Sequence, residues 1–319
     1  MRETSDRALR RLGRSYLSVT KRIWNLLPAS LRRLSPVRLY GRHVHALVRR
    51  LAERAQSHGT FFFRNRPEME LMCRLVNQNL PGSRLDITVL ACSKGAEVYS
   101  FLLAIRSIRP DLIVNAKAVD ISQQILEFAE RGVYSCDDAP ALECDDGCFL
   151  HTTDATWKDQ PASIFERMTD TEMESMFELV GDNAKVRPWL KQGIIWLKGD
   201  AGDPELVRVL GLQDIVVANR FLCHMAAPSA EKCLRNIARM VKPDGYLFVS
   251  GVDLDVRTMV ARDLGWKPVP DLLREVYEGD VSLMNGWPLE WWGQEPLMAA
   301  RPDYATRYAC AFQLGQPRQ

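Results

Sequence analysis

Glycine is missing where a phosphate-binding chain needs it most. The 319 residues contain no G-x-G-x-x-G and no G-x-x-x-x-G-K-[ST], which excludes the dinucleotide fingerprint and the P-loop. The 8 cysteines form no C-x-x-C pair and no His/Cys group at zinc spacing. Neither a disulfide frame nor a metal site is therefore expected, and reduced thiols point to a cytoplasmic protein. Cys136, Cys144 and Cys148 lie close together among acids, without ligand spacing. No apolar run approaches membrane-spanning length, and the N-terminus lacks a secretory apolar region. Acids are scarce at one end only. Residues 1–58 hold 14 Lys/Arg against 3 Asp/Glu, so this segment carries +11 and the remainder −9. Such a segment attracts an acidic partner, and nucleic acid is not expected. Its apolar positions, Leu9, Leu12, Tyr16, Leu17, Ile23, Trp24 and Leu27, predict an amphipathic helix packed on the rest of the chain, with its arginines solvated.

What is present is concentrated in Val89-Leu90-Ala91-Cys92-Ser93-Lys94-Gly95-Ala96-Glu97-Val98-Tyr99-Ser100 and the later Ala118-Val119-Asp120. These segments read as buried strand, small-residue turn, helix, buried strand and terminal acid. In an open α/β sheet that order makes a nucleoside-sized crevice, with an acid for the ribose hydroxyls and helix N–H groups free for a ligand. Ala91 and Ser93 stand where glycines of a dinucleotide loop might be, and Gly95 is the one glycine there. Glu97 suits the helix dipole but repels a pyrophosphate and attracts an ammonium. Ribose, adenine and an amino-acid ammonium without phosphate describe S-adenosylmethionine, with S-adenosylhomocysteine as the product.

Strands are expected at 87–91, 113–119, 194–197, 215–218 and 246–250, and helices at 39–56, 67–79, 96–108, 123–131, 229–240 and 256–264. The alternation predicts a mostly parallel sheet. The stretch 137–193 is too long for one crossover and reads as an insertion, acidic at 137–146, helical at 170–179 and starting a small hairpin at 185–190. A Trp-rich stretch at 285–293 precedes a closing strand at 307–314. The expected class is α/β, a class I methyltransferase-like Rossmann sheet with an N-terminal helical segment and a small inserted subdomain. The division is 1–58 and 59–319, the latter including the insertion and the Trp-rich segment 279–319.

Four ordered motifs resemble the CheR-type methyltransferases, which use S-adenosylmethionine to esterify receptor glutamates. Thr60-Phe61-Phe62-Phe63-Arg64 is similar to T-x-F-F-R, and Ala91 to Ser100 is similar to C-S-x-G-E-E-P-Y-S. Val119-Asp120-Ile121 with Ala129-Glu130-Arg131-Gly132-Val133-Tyr134 follows D-I-x-x-x-x-L-x-x-A-x-x-G-x-Y, and Val241 to Phe248 follows L-K-P-x-G-x-L-F. The resemblance spans roughly residues 58–252. It implies Thr60 and Arg64 over the methionine end, Arg64 forking onto its carboxylate. It further implies Glu97 on the ammonium, Asp120 on the ribose and Asp200 near the adenine. Ala91, Ser93, Gly95, Ile121, Ala201, Asn219 and Arg220 complete the expected cofactor contacts.

The family's C-R-N-V-x-I-Y-F appears here as Ala218-Asn219-Arg220-Phe221-Leu222-Cys223-His224-Met225, with Arg and Asn exchanged and His at the Tyr position. Methyl transfer is an in-line displacement, so alignment is the main task. A carboxylate acceptor needs no base, whereas a hydroxyl benefits from one, and His224 with Arg220 beside it is the candidate catalytic pair. Tyr99, Trp287 and Trp292 are candidate substrate contacts, the alternative for the tryptophans being core packing. The expected activity is methylation of a hydroxyl or carboxyl oxygen on a small-molecule or peptide-linked acceptor. The alternatives are a glutamate carboxyl methyltransferase of the chemotaxis-receptor type and a non-catalytic cofactor-binding module.

Overall fold

The structure, a computed structural model, describes residues 2–52, 54, 58–80, 83–136 and 163–315. The acidic run at 137–146, with Cys144 and Cys148, lies outside the described residues.

The chain divides into two units, residues 1–55 with 281–297, and residues 56–280 with 298–319. The second unit holds a seven-stranded sheet. Its strands are β1 (Arg84–Leu90), β2 (Ile113–Asp120), β6 (Ile194–Lys198), β7 (Gln213–Asn219), β8 (Val241–Ser250), β9 (Lys267–Pro268) and β10 (Ala311–Gln313), in the order β6-β2-β1-β7-β8-β10-β9. Pairing is parallel from β6 to β8, and β10 runs antiparallel between β8 and β9. This is the class I methyltransferase-like α/β sheet expected from the sequence.

Leu85, Ile87, Val89 and Leu90 are at most 2% exposed, so β1 is a central strand covered on both faces. Helix α4 (Arg66–Asn79) leads into β1, α5 (Ala96–Ile108) links β1 to β2, and α6 (Gln123–Arg131) follows β2. Nine of the 13 residues of α5 are buried, as befits a helix apolar nearly all round. Because β2 lies on one side of β1 and β7 on the other, their carboxyl ends diverge and open a crevice above β1.

Several boundaries depart from expectation. The segment expected to be helical over 170–179 ends as helix at Met176, after a capping box between Thr169 and Glu172. It continues as β4 (Phe177–Val180), which pairs with β5 (Asn183–Val186) around Gly181 at φ +58°. With β3 (Val133–Ser135) these form a small sheet of order β3-β5-β4. The Pro-Asp-Gly of the Val241 to Phe248 motif is an irregularity inside β8, where Gln213 faces Val241 but Ile215 faces Tyr246. The closing strand is short because Tyr304–Tyr308 is helical, with Arg307 paired to Asp255 at 2.8 Å.

The first unit contains α1 (Arg2–Leu26), α2 (Ala29–Arg32) and α3 (Ser35–Leu51). The Trp-rich stretch, assigned in sequence to 59–319, clusters with these helices. Trp287 meets Trp24 edge-on at 5.5 Å, and a Cβ on Gly41 would lie 2.4 Å from the Trp287 ring. His45 Nδ1 lies 3.3 Å from the Pro288 carbonyl, and Lys21 and Arg42 pair with Glu290 and Glu295 at 3.6 and 3.5 Å.

Candidate active site

The turn after β1 does without glycine by placing small residues in the left-handed region. Ala91 and Ser93 sit at φ 50° and 49°, and Gly95, at φ +81°, caps α5. A left-handed non-glycine residue costs about 1–2 kcal/mol, so the surrounding bonds must hold the turn. They do so densely. Cys92 N–H donates to the Val119 carbonyl (3.0 Å), Ser93 N–H to Asp120 Oδ2 (2.9 Å) and Gly95 N–H to the Cys92 carbonyl (3.0 Å). The expectation of N–H groups free for a ligand is thus corrected at these three positions. A phosphate would find those donors taken and Glu97 beside it. Asp120 also accepts from Ser122 N–H at 3.1 Å, and Ser93 Oγ donates to the His58 carbonyl at 2.8 Å. The turn, the end of β2 and the 58–64 segment are therefore one hydrogen-bonded frame.

Asn219 ends β7 and lines the crevice beside Glu97. Its Nδ2 donates to Glu97 Oε1 (2.9 Å) and Glu68 Oε2 (3.0 Å), and its Oδ1 accepts from Ser250 Oγ (2.8 Å). Burial, then the neighbouring Glu97, push the Glu68 carboxyl well above its usual range.

Arginines gather at the same cavity. Arg64, 8% exposed, donates to the Gly59 carbonyl at 2.9 Å and lies 5.0 Å from the Phe61 ring centre. Arg167 lies 4.1 Å from the same ring and donates to the Arg64 carbonyl. Burial, then the nearby Arg220, push the Arg64 guanidinium down. Arg220, at φ 63°, pairs with Asp280 at 3.1 Å, and Arg167 reaches the same carboxylate at 4.0 Å. Gly251 makes that pose possible, since a Cβ there would stand 2.8 Å from Arg220 Cα.

These groups surround one cavity, and most residues singled out from the sequence line it: Thr60, Arg64, Ala91, Ser93, Glu97, Asp120, Ile121, Asp200, Ala201, Asn219, Arg220 and His224. Asp200, on the exposed rim, accepts from Gly202 N–H at 2.8 Å. His224 closes a short 3-10 turn, Leu222–His224, just after β7. Four expected contacts lie elsewhere. Gly95 faces inward, where a Cβ would meet Trp196, Ala129 and Tyr99 at 3.0–3.3 Å. Tyr99 is fully buried and donates to the Ala129 carbonyl at 2.7 Å, which makes it a core residue of α5 and not a substrate contact. Trp287 and Trp292 belong to the helical unit, where Trp287 packs on Trp24. The lining also includes His58, Gly59, Cys92, Val119, Gly199, Phe221 and Met225. Their sequence signal was adjacency, because each lies within two residues of a predicted contact.

The donor set fits S-adenosylmethionine. Glu97 and Asp120 offer carboxylates for an ammonium and a ribose, Arg64 offers a guanidinium for a carboxylate, and no free phosphate cradle competes with them. Among the described residues no group of three or more His, Cys, Asp and Glu could hold a metal. No described helix is long and apolar enough to cross a membrane.

Comparison with known proteins agrees with this chemistry. The family model "CheR methyltransferase, SAM binding domain" matches residues 58–156, and a "Methyltransferase domain" model matches 170–249. A probable biofilm formation methyltransferase of Pseudomonas aeruginosa is 22% identical over 265 residues, covering 82% of this chain and 56% of that protein. Chemotaxis protein methyltransferase 2 of Vibrio cholerae is 21% identical over 197 residues, 60% of each protein. The chain thus spans less than two thirds of the length of either relative. Among solved structures, magnesium protoporphyrin IX methyltransferase from Synechocystis with bound S-adenosylmethionine has 14% identity and a TM-score of 0.35, over 63% of this chain and 69% of that one. Residues 58–156 are thus similar to the S-adenosylmethionine-binding domain of CheR methyltransferases, and this similarity supports S-adenosylmethionine as the cofactor.

Proposed function

We propose that this methyltransferase acts on an oxygen, hydroxyl or carboxyl, of an acid-bearing small-molecule or peptide-linked acceptor. The observation that carries this is that carboxylates and guanidiniums together line one cavity. Glu97 and Asp120 contribute the acids, Arg64 and Arg220 the guanidiniums, and Arg167 reaches the Asp280 carboxylate that pairs with Arg220.

Bound S-adenosylmethionine supplies a methyl group activated by its sulfonium. The chain supplies the alignment on which an in-line displacement depends. Asp120, fixed by two backbone N–H groups, keeps lone pairs for ribose hydroxyls, and Glu97 faces the ammonium. Arg64 holds the donor's carboxylate, and Asp200 accepts from the adenine amine. Arg220, anchored by Asp280, steers an anionic acceptor into place. His224, half-buried on the cavity wall, takes the proton of a hydroxyl acceptor and has no proton to take from a carboxylate.

The name of one relative, chemotaxis protein methyltransferase 2, together with the basic helical segment favours a second reading, a protein glutamate of the chemotaxis-receptor type. Residues 7–52 contain no Asp or Glu, so this segment would dock an acidic partner. The free thiols of Cys73, Cys92, Cys136, Cys233 and Cys310 suit a cytoplasmic setting.

The test is transfer of a labelled methyl group to fractionated metabolites and to acidic proteins. Label released by mild base identifies a carboxyl ester, and base-stable label identifies an ether. His224→Phe should lower kcat about 100-fold for a hydroxyl acceptor and leave a carboxylate acceptor within about threefold. Donor binding without transfer to either pool would overturn the enzymatic proposal in favour of a binding module.

A further inference from the structure

Glu68 is the carboxyl group in this region that the mechanism above does not use. It is 2% exposed, and it is not among the residues lining the cavity. It stands in the first turn of α4, whose N-cap Asn65 accepts from the Glu68 N–H at 3.3 Å. In a capping box the Glu side chain at this position would turn back to the N-cap N–H. Here it turns inward and accepts from Asn219.

We propose that Glu68 is a positioning residue of the methyl-donor site: through the Asn219 carboxamide it aims the Glu97 carboxylate at the donor's ammonium. This rests on the role given to Glu97 above. The geometry leaves Asn219 one orientation. Its two N–H bonds point at two carboxyl groups, and its oxygen accepts from Ser250. Turned over, the amide oxygen would face two carboxyl oxygens, and the NH2 would face the Ser250 hydroxyl.

Two buried acids sharing one neutral amide do not both ionise readily. Burial and Glu97 together push Glu68 well above the usual carboxyl range, and the Asn219 hydrogen bond offsets this only in part. Charge is therefore disfavoured on Glu68, the deeper acid, which serves Asn219 as a hydrogen-bond acceptor, while Glu97 stands on the cavity wall.

The experiment is calorimetric titration of the full chain with S-adenosylhomocysteine, which carries the same ammonium without a transferable methyl group. The variants are Glu68→Leu, Glu68→Gln, Glu97→Gln and the Glu68→Leu/Glu97→Gln double variant. Glu68→Leu should bind about 10- to 100-fold more weakly, because an Asn219 N–H is left buried and unsatisfied. Glu68→Gln, which retains an acceptor oxygen, should restore affinity to within about threefold of wild type. In the Glu97→Gln background the Leu substitution should lose most of its effect, since Glu68 acts through Glu97.

Additive losses in the double variant, or wild-type affinity for Glu68→Leu, overturn the proposal and leave the donor site standing. Absence of binding by the wild-type chain overturns the donor site and this role together. Should Glu68→Leu not fold, Ser250→Ala, which releases the amide from its other side, replaces it in the cycle. Additivity of Ser250→Ala with Glu97→Gln would then overturn the proposal.

Discussion

The acids and the arginines around the cavity differ in how they are held as well as in charge. Asp120 ends β2 and Asn219 ends β7, and each bonds to more than one partner. The arginines stand on connections, with Arg64 before α4, Arg167 before the helix that ends at Met176 and Arg220 past the end of β7. Strand ends are held by a ladder of backbone bonds, while connections vary more freely. An acid for the ribose, such as Asp120, suits a strand end, and an arginine that steers the acceptor, such as Arg220, suits a connection.

The strongest way to break this contrast is Asp120→Ala, which removes both the ribose acceptor and the anchor of the Ser93 and Ser122 N–H groups. Affinity for S-adenosylhomocysteine should fall about 100-fold or more by calorimetry. Wild-type affinity would show that Asp120 does not bind the donor. Gly251→Ala tests Arg220 through its backbone. A Cβ would crowd Arg220 at 2.8 Å, and φ is +58° there. The variant should lose about 1–3 kcal/mol in urea denaturation. Arg220→Met should raise the acceptor KM about tenfold while donor affinity changes less than threefold, a loss of roughly 1.4 kcal/mol confined to the acceptor. Equal losses for donor and acceptor would erase the distinction.

A smaller effect concerns pH. Glu68 has its folded value raised, so its contribution to stability is fully present below the ordinary carboxyl range. That contribution is lost as pH rises toward the raised value, because only the unfolded chain ionises there. Denaturation of Glu68→Gln at acid and neutral pH should show a flatter dependence than wild type. The least change at the cavity is expected from Trp287→Ala. It should destabilise the helical unit by about 3–5 kcal/mol and leave donor affinity within twofold. A large loss of affinity would return Trp287 to the list of ligand contacts.

Most of the cavity's lining was legible because it falls in short contiguous motifs, 60–64, 91–97 and 119–121, at the junctions of predicted strands and helices. Tyr99 was misplaced by the same logic. It lies in the motif, but the helical period turns it into the core, where Gly95 and Trp196 pack on it. Glu68 carried no signal, since Asn65-Arg66-Pro67-Glu68 resembles an ordinary helix start and its partner Asn219 is 151 residues away. The Trp-rich stretch was grouped by its position in the chain, whereas its partners are Gly41 and Trp24, more than 240 residues earlier.

By itself the sequence determined the sheet class, the methyl donor and most of the residues that line one cavity, because local periodicity and contiguous motifs encode strand ends and the turns that follow them. Tertiary structure alone decided which arginines share Asp280, which acid stands behind Glu97 and which unit owns the tryptophans. Each of these is a contact between side chains far apart in the chain, and burial sets its energy, a quantity that exists only once the sheet has closed over them.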